Sequence, residues 1–224
     1  MKVSVIIPVY NVAKYIERCL LSVLNQTWQD LEVILVNDCT PDGSMQIVKK
    51  LISSHPRGAV VRCLEHEKNK GLSAARNTGI SVSVGDYLYF LDSDDYIPAN
   101  AIELLAEAAR QKQTNFVIGN YEVTGARRWA PPLSLGTGLY EGNALVLSNY
   151  VQEKWYVMAW NKLVSRPFVL QHQLYFQEGI VHEDDLWSFK LACMAQSMYV
   201  VDETTYYYSC LLYTSPSPRD ISGS

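Results

Sequence analysis

The chain reads as an α/β protein, one domain built on a mostly parallel sheet flanked by helices. Three observations predict it. Short, nearly continuous apolar runs alternate with segments whose apolar residues recur at helical spacing, the pattern of strands joined by crossover helices. Two of those runs stop abruptly at carboxylates, Asp38 and Asp92–Asp95. No internal repeat or linker-like stretch divides the chain.

Val3–Val9 (VSVIIPV) is a buried first strand, with Pro8 near its end where a missing N–H is tolerated. Tyr15, Ile16, Cys19, Leu20, Val23 and Leu24 share one face of a helix over Ala13–Asn25. Leu31–Asn37 is a second strand, followed by turn residues at Thr40–Gly43 and a helix over Ser44–Ser54. Val60–Leu64 is a third strand, and Leu72–Ile80 a helix after the Asn69–Gly71 turn. Gly85–Leu91 is the fourth strand. Asn100 is placed to cap a helix over Ala101–Gln113. Beyond it stand a strand at Phe116–Ile118, an irregular stretch or hairpin at Arg127–Tyr140, and a helix near Gly142–Tyr150. An aromatic-rich segment Trp155–Ser165, a helix over Glu183–Gln196 and a strand at Thr204–Tyr208 complete the pattern. The strand-to-helix loops of such a sheet share one edge, so Asp38 and Asp92–Asp95 are expected along one rim, where ligands of open α/β sheets bind.

The 224 residues, 48% hydrophobic with 15 tyrosines, suffice for a sizeable core. A net charge of −4 argues against nucleic acid as the main partner. Five cysteines without C-x-x-C spacing point to reduced, mostly buried thiols. No apolar run reaches the roughly 20 residues of a membrane span. A protein in the cytoplasm is expected, with peripheral contact at the inner face of the cytoplasmic membrane compatible with the composition.

The candidate functional residues each carry a competing structural reading. Asp92, Asp94 and Asp95 repel one another and are costly to bury, so a divalent cation bridging a phosphate suits them; turn and cap chemistry is the alternative. The loop Tyr10–Ala13 has no glycine, which excludes a dinucleotide fingerprint there, and no P-loop is present. Asp38 can accept a hydrogen bond from a base while Tyr10 stacks on its ring, or it is a turn carboxylate. Lys70 and Arg76 near a helix start suit a diphosphate, or they are solvated surface charges. Glu183, Asp184 and Asp185 suit the dipole of the helix they open, and one of them in a cleft could take a proton from a hydroxyl.

Six segments in order, Val3–Asn11 (VSVIIPVYN), Leu31–Ser44 (LEVILVNDCTPDGS), Gly71–Ile80 (GLSAARNTGI), Gly85–Asp95 (GDYLYFLDSDD), Trp160–Leu163 (WNKL) and His182–Trp187 (HEDDLW), resemble the family 2 glycosyltransferases. The likeness is greatest to bacterial members that build capsule, exopolysaccharide or lipopolysaccharide chains. The resemblance implies a GT-A fold, with a Rossmann-like sheet and an irregular acceptor-side part. It also implies inverting transfer of a sugar from a nucleotide-sugar, by default a UDP-sugar, to the hydroxyl of a saccharide or lipid-linked saccharide. By similarity Pro8, Tyr10 and Asp38 border the nucleotide; Arg76 joins the donor-site candidates on its own chemistry, as a guanidinium suited to a diphosphate. Asp92 lies near the ribose, Asp94 holds Mn²⁺ or Mg²⁺ on the diphosphate, and Asp184 is the base. Asp95, Asn77, Trp160, Asn161, Lys162, Glu183 and Asp185 stand in the same motifs as further candidates, with Lys70 just before one of them and Asp185 competing directly with Asp184. Asn37 departs from the family, many of whose members have two acidic residues at positions 37 and 38.

Two other functions compete. A nucleotidyltransferase wants a glycine-rich, basic loop after the first strand, which Tyr10–Ala13 lacks. A nucleotide-sugar-binding module without transferase activity predicts loss of the carboxylate at Asp94 or Asp184, and both are present. The catalytic domain is expected to span residues 1–210, with a nucleotide-binding half to about residue 100. The segment 211–224 (LLYTSPSPRDISGS) departs from everything before it and is expected to be a disordered, adapter-derived tail where the native chain continues into further segments.

Overall fold

The computed structural model describes residues 1–125 and 133–210. The tail and positions 126–132 of the irregular stretch lie outside the described residues.

The strands β1 (Val3–Val9), β2 (Leu31–Asn37), β3 (Val61–Glu65), β4 (Tyr87–Phe90), β5 (Phe116–Gly125), β6 (Gly138–Glu141), β7 (Lys162–Ser165) and β8 (Ser197–Cys210) form one sheet in the order β3-β2-β1-β4-β7-β5-β8-β6. Strands β3, β2, β1 and β4 run parallel, in the registers Val33↔Val61, Val3↔Leu31 and Val3↔Tyr87. Every residue of β1 is buried, which its nearly unbroken apolar run, interrupted only by Ser4, requires of a strand covered on both faces. Pro8 has the parity of Ile6, whose carbonyl takes the Leu91 N–H from the β4 side. The β4 ladder ends there, so the N–H that Pro8 lacks has no partner to lose.

The helices are α1 (Ile16–Leu24), α2 (Ser44–Ser54), α3 (Leu72–Val82), α4 (Ala101–Lys112), α5 (Asn143–Val151), α6 (Arg166–Gln171) and α7 (Glu183–Met194). Helix α1 buries Ile16, Cys19, Leu20, Val23 and Leu24, the stripe its spacing predicts. Helix α3 lies so close to β1 that a Cβ on Gly79 would sit 2.4 Å from Ile6 Cγ2.

Several boundaries differ from expectation. Helix α1 begins three residues after Ala13, because the N–H groups of Tyr15 and Ile16 both turn back to the Val12 carbonyl. Strand β4 is shorter than Gly85–Leu91, since the Gly85 N–H is held by the side chains of Ser4 and Glu32 instead of a ladder. Asn100 stands at the N-cap of α4, but its side chain makes no capping bond; its carbonyl accepts the Leu104 N–H. Within Trp155–Ser165 only β7 is regular. It runs antiparallel between β4 and β5, and the unanticipated α6 follows it directly.

The largest departure is β5 with β8, which pair in parallel far beyond Phe116–Ile118 and Thr204–Tyr208. Opposite Gly119–Tyr121 the register shifts, with Asp202, Glu203 and Thr205 bulging from β8 as the surplus residues. Gly119 sits there because a Cβ would lie 1.9 Å from Thr205 Oγ1. The thiols are unpaired among the described residues, but only Cys19 is buried, and Cys39 is exposed, against the expectation of mostly buried cysteines. No helix among the described residues is long and apolar enough to cross a membrane.

Candidate active site

The parallel strands end on one rim, and backbone bonds continue the ladders into it: Asp38 N–H to the Val9 carbonyl, and His66 N–H to the Asn37 carbonyl. Tyr10, half-buried, follows β1 on this rim, and Pro8 lies buried two residues before it. The loop after β1 is pinned to the loop after β2. Asn11 N–H donates to Thr40 Oγ1, and Ala13 N–H to Asp42 Oδ2, both at 2.8 Å. Burial pushes the Asp42 carboxyl up, but bonds from Ser44, Ala13 and Thr40 outweigh it and hold it below the usual carboxylate range. Asp42, read from the sequence only as turn chemistry, is the organiser of this rim.

Asp38 is 2% exposed. Its carboxylate accepts the Lys70 and Gly71 N–H groups, each at 2.8 Å, and faces His66 Nδ1 at 2.7 Å. The other nitrogen of His66 meets Thr78 Oγ1 at 2.9 Å. The Lys70 contribution seen here is thus its backbone N–H. Only two scattered signals, the turn at Gly71 and a histidine just past a strand, hint at this arrangement in the sequence.

The loop after β4 separates its three carboxylates. Asp95 is 1% exposed; Tyr206 donates to it at 2.7 Å and the Ser209 N–H at 2.6 Å, so it anchors β8 to the loop. Burial pushes its carboxyl well up, and Asp94 and Asp92 add to this. Asp92, its side chain 11% exposed, and Asp94 are partly buried. From α1, Arg18 donates to the Asp94 carbonyl and to Ser209 Oγ, and its guanidinium lies 4.3 Å from the Tyr96 ring centroid. Tyr96 in turn stacks on Tyr207 at 4.7 Å. Arg18, Tyr206 and Ser209 carry no motif of their own, and sequence reading missed all three.

Arg76 is fully buried. One terminal nitrogen donates to Asp92 Oδ1 at 2.8 Å, the other to Glu183 Oε1 at 2.9 Å. It therefore joins the β4 loop to the first turn of α7, and both terminal nitrogens are engaged by carboxylates of the chain. Helix α7 is seated by Trp187, whose ring stacks on Phe176 at 5.0 Å and meets Phe90 edge-on at 5.6 Å. The Trp187 indole N–H donates to the Leu174 carbonyl. Glu183 and Asp184 are buried while Asp185 is exposed. Burial pushes the Glu183 carboxyl up, Asp184 beside it adds to this, and Arg76 opposes it.

Asn161, Lys162 and Trp160 are held inside the protein. Asn161, at φ +57°, accepts from Tyr89 and Thr205 and donates to the Gly119 and Asn120 carbonyls. The Lys162 ammonium donates to the Tyr156 and Met158 carbonyls and lies 4.4 Å from the Tyr156 ring centroid. Burial holds it well below the usual lysine range, with Asp184 opposing that shift. Trp160 stacks on Tyr206 at 4.4 Å and is fully buried. Asn77 binds the backbone of Phe176 from both sides, through its amide N–H₂ and its carbonyl.

The rim thus collects Tyr10, Asp38, Asp92 and Asp94 from the N-terminal half, and Arg76 links that rim to Glu183 beside Asp184. Asp95, Asn161 and Trp160 are committed to packing. Among the described residues no cluster of three or more His, Cys, Asp or Glu side chains is arranged to hold a metal.

A mixed α/β sheet with an acidic loop at its rim defines a GT-A-type fold. The chain belongs to the family "Glycosyl transferase family 2", whose model matches residues 4–166. It is 36% identical over 218 residues to the uncharacterized glycosyltransferase EpsJ of Bacillus subtilis, covering 92% of this chain and 60% of that protein. Over 109 residues it is 42% identical to the chondroitin synthase of Escherichia coli, covering 49% of this chain and 15% of that one. The crystal structure of S. aureus TarS 1-349 in complex with UDP superimposes with a TM-score of 0.81 at 25% identity, over 93% of this chain and 60% of TarS 1-349. The chain therefore spans well under two thirds of EpsJ and of TarS 1-349.

Proposed function

We propose that the chain is the catalytic part of an inverting glycosyltransferase that moves a sugar from a UDP-sugar to an acceptor hydroxyl during assembly of a bacterial surface polysaccharide. The observation that carries this reading is Arg76, which ties Asp92 of the rim loop to Glu183, the neighbour of Asp184. A binding module needs the rim alone; a transferase needs a base held in register with it. The TarS complex with UDP supports the choice of nucleotide.

In this reading Asp38 receives the base and Tyr10 lies against it. Asp92 borders the ribose, and Asp94 holds Mn²⁺ or Mg²⁺. The partly exposed Asp94 fits such an ion: a hard cation that keeps its waters and substrate phosphates takes only one or two protein carboxylates, not a closed cage. When bound there, such an ion would supply positive charge against the leaving diphosphate. Asp184 takes the proton of the acceptor hydroxyl as that oxygen attacks the anomeric carbon opposite the departing diphosphate. The acceptor is a saccharide or lipid-linked saccharide, and the site of action is the cytoplasmic side of the membrane.

Release of UDP from a panel of UDP-sugars, with Mn²⁺ and with chelator, tests the proposal. Turnover of one sugar that stops with chelator and in Asp184→Asn is expected. UDP release that persists unchanged in Asp184→Asn contradicts it.

A further inference from the structure

We propose that helix α3 is the positioning element for Asp184: Ser73, Arg76 and Asn77 form one stripe that holds the segment 176–183 and sets where α7 begins. The proposal rests on the reading of Asp184 as the base. Residues three and four apart share a helix face, and here that face is committed to one segment. Ser73 Oγ donates to the Gln177 carbonyl at 2.9 Å. Asn77 donates to the Phe176 carbonyl at 2.9 Å and accepts the Phe176 N–H at 2.8 Å. Arg76 lies between them, its guanidinium 5.0 Å from the Phe176 ring centroid and bonded to Glu183.

The segment needs holding. It carries Gly179 at φ +76° and His182 at φ +60°, and it exposes Ile180 and Val181, so it has little apolar anchorage of its own between Phe176 and Glu183. His182 is the N-cap of α7 but makes no side-chain capping bond. The first turn of α7, with Asp184, is thus located from outside the helix, by α3 on this side and by Trp187 packing beyond it. Because Arg76 also binds Asp92, the same helix refers the base to the donor loop. The motif at Gly71–Ile80 accordingly acts through α7 as well as near the donor.

Displacing a base by about 1 Å can cost on the order of 100-fold in rate with no loss of binding. Asn77→Ala and Glu183→Gln test this, since neither leaves a buried charge on the varied residue. The readouts are kcat and KM for the UDP-sugar of the panel that the parent turns over fastest, UDP affinity with Mn²⁺ by calorimetry, and hydrogen exchange over 176–190. Expected are a fall in kcat of about 10- to 100-fold, donor KM and UDP affinity within about twofold, and faster exchange confined to 176–190. An unchanged kcat in both variants overturns the proposal. So does a parallel loss of UDP affinity, which would put the stripe's effect on the donor. Asp184→Asn, run alongside, separates the two failures: if it keeps full turnover, the base reading has failed.

Discussion

Tyr206→Phe removes one oxygen and leaves its ring stacked on Trp160 at 4.4 Å. That oxygen donates to Asp95 Oδ2 at 2.7 Å and accepts the Asp92 N–H at 3.3 Å. Burial, with Asp95 beside it, pushes the phenol well above its ordinary range, so it stays a donor at neutral pH. Without it, a carboxyl group that is 1% exposed keeps, among the described residues, only the Ser209 N–H. Leaving such a buried acceptor short of a partner costs about 1–3 kcal/mol, and the longer bond adds a few tenths. About 2–3 kcal/mol in a domain of this size corresponds to a fall in Tm of roughly 5–10 °C. Calorimetric unfolding measures it, and titration of UDP with Mn²⁺ is expected to show weaker binding, because the loop carrying Asp94 is held through Asp95. A Tm within about 1 °C of the parent would refute the idea that β8 locks this loop.

Asp94→Ala should abolish the Mn²⁺ dependence of UDP binding, read by calorimetry with and without the ion, while circular dichroism stays unchanged. Asp184→Asn should lower turnover by about 10²–10⁴-fold and keep UDP affinity, with the exposed Asp185→Asn as the control that retains turnover; a reversed result moves the base by one position. Lys162→Met tests the buried ammonium. Its folded value lies below the unfolded one, so the unfolded chain binds the extra proton and parental stability rises with pH across that interval, up to about 10.4. The stability difference between parent and variant, from urea unfolding at several pH values, should therefore shift in the parent's favour as pH rises, and parallel curves would contradict it.

The N-terminal half was readable because β1, β2 and β4 are nearly all buried and their apolar runs are almost continuous, while the edge strand β3 is partly exposed. From Val3 to Phe90 each strand and helix stands within a few residues of its expected place. The second half was not readable in the same way. Strand β8 carries the polar Asp202, Glu203 and Thr204, and its register against β5 shifts there, Val201 standing opposite Gly119, Thr204 opposite Asn120 and Tyr206 opposite Tyr121, so the extra residues bulge from β8. Helix α6 is six residues long, too short for a periodic signal.

The site residues divide along the same line. The position of Asp38 on the rim follows from local sequence, since it ends a buried strand. The difference between Asp94 and Asp95 depends on Tyr206, 111 positions away from Asp95, and no local pattern carries it. Arg76 looks like a surface charge on a short amphipathic helix until its partners, 16 and 107 positions away, are in place. The sequence reading gave Arg76 to the donor diphosphate; in the structure both terminal nitrogens of its guanidinium hold carboxylates of the chain itself.

The most direct test of the proposed chemistry is the anomeric configuration of the sugar first released. Proton NMR during the first minutes of UDP-sugar turnover in the presence of Mn²⁺ reads it before mutarotation. Attack by an oxygen that Asp184 deprotonates, opposite the departing diphosphate, predicts the β-anomer from an α-linked donor, and loss of that signal in Asp184→Asn. Release of the α-anomer would contradict the account, because the oxygen would then have entered from the face the diphosphate left.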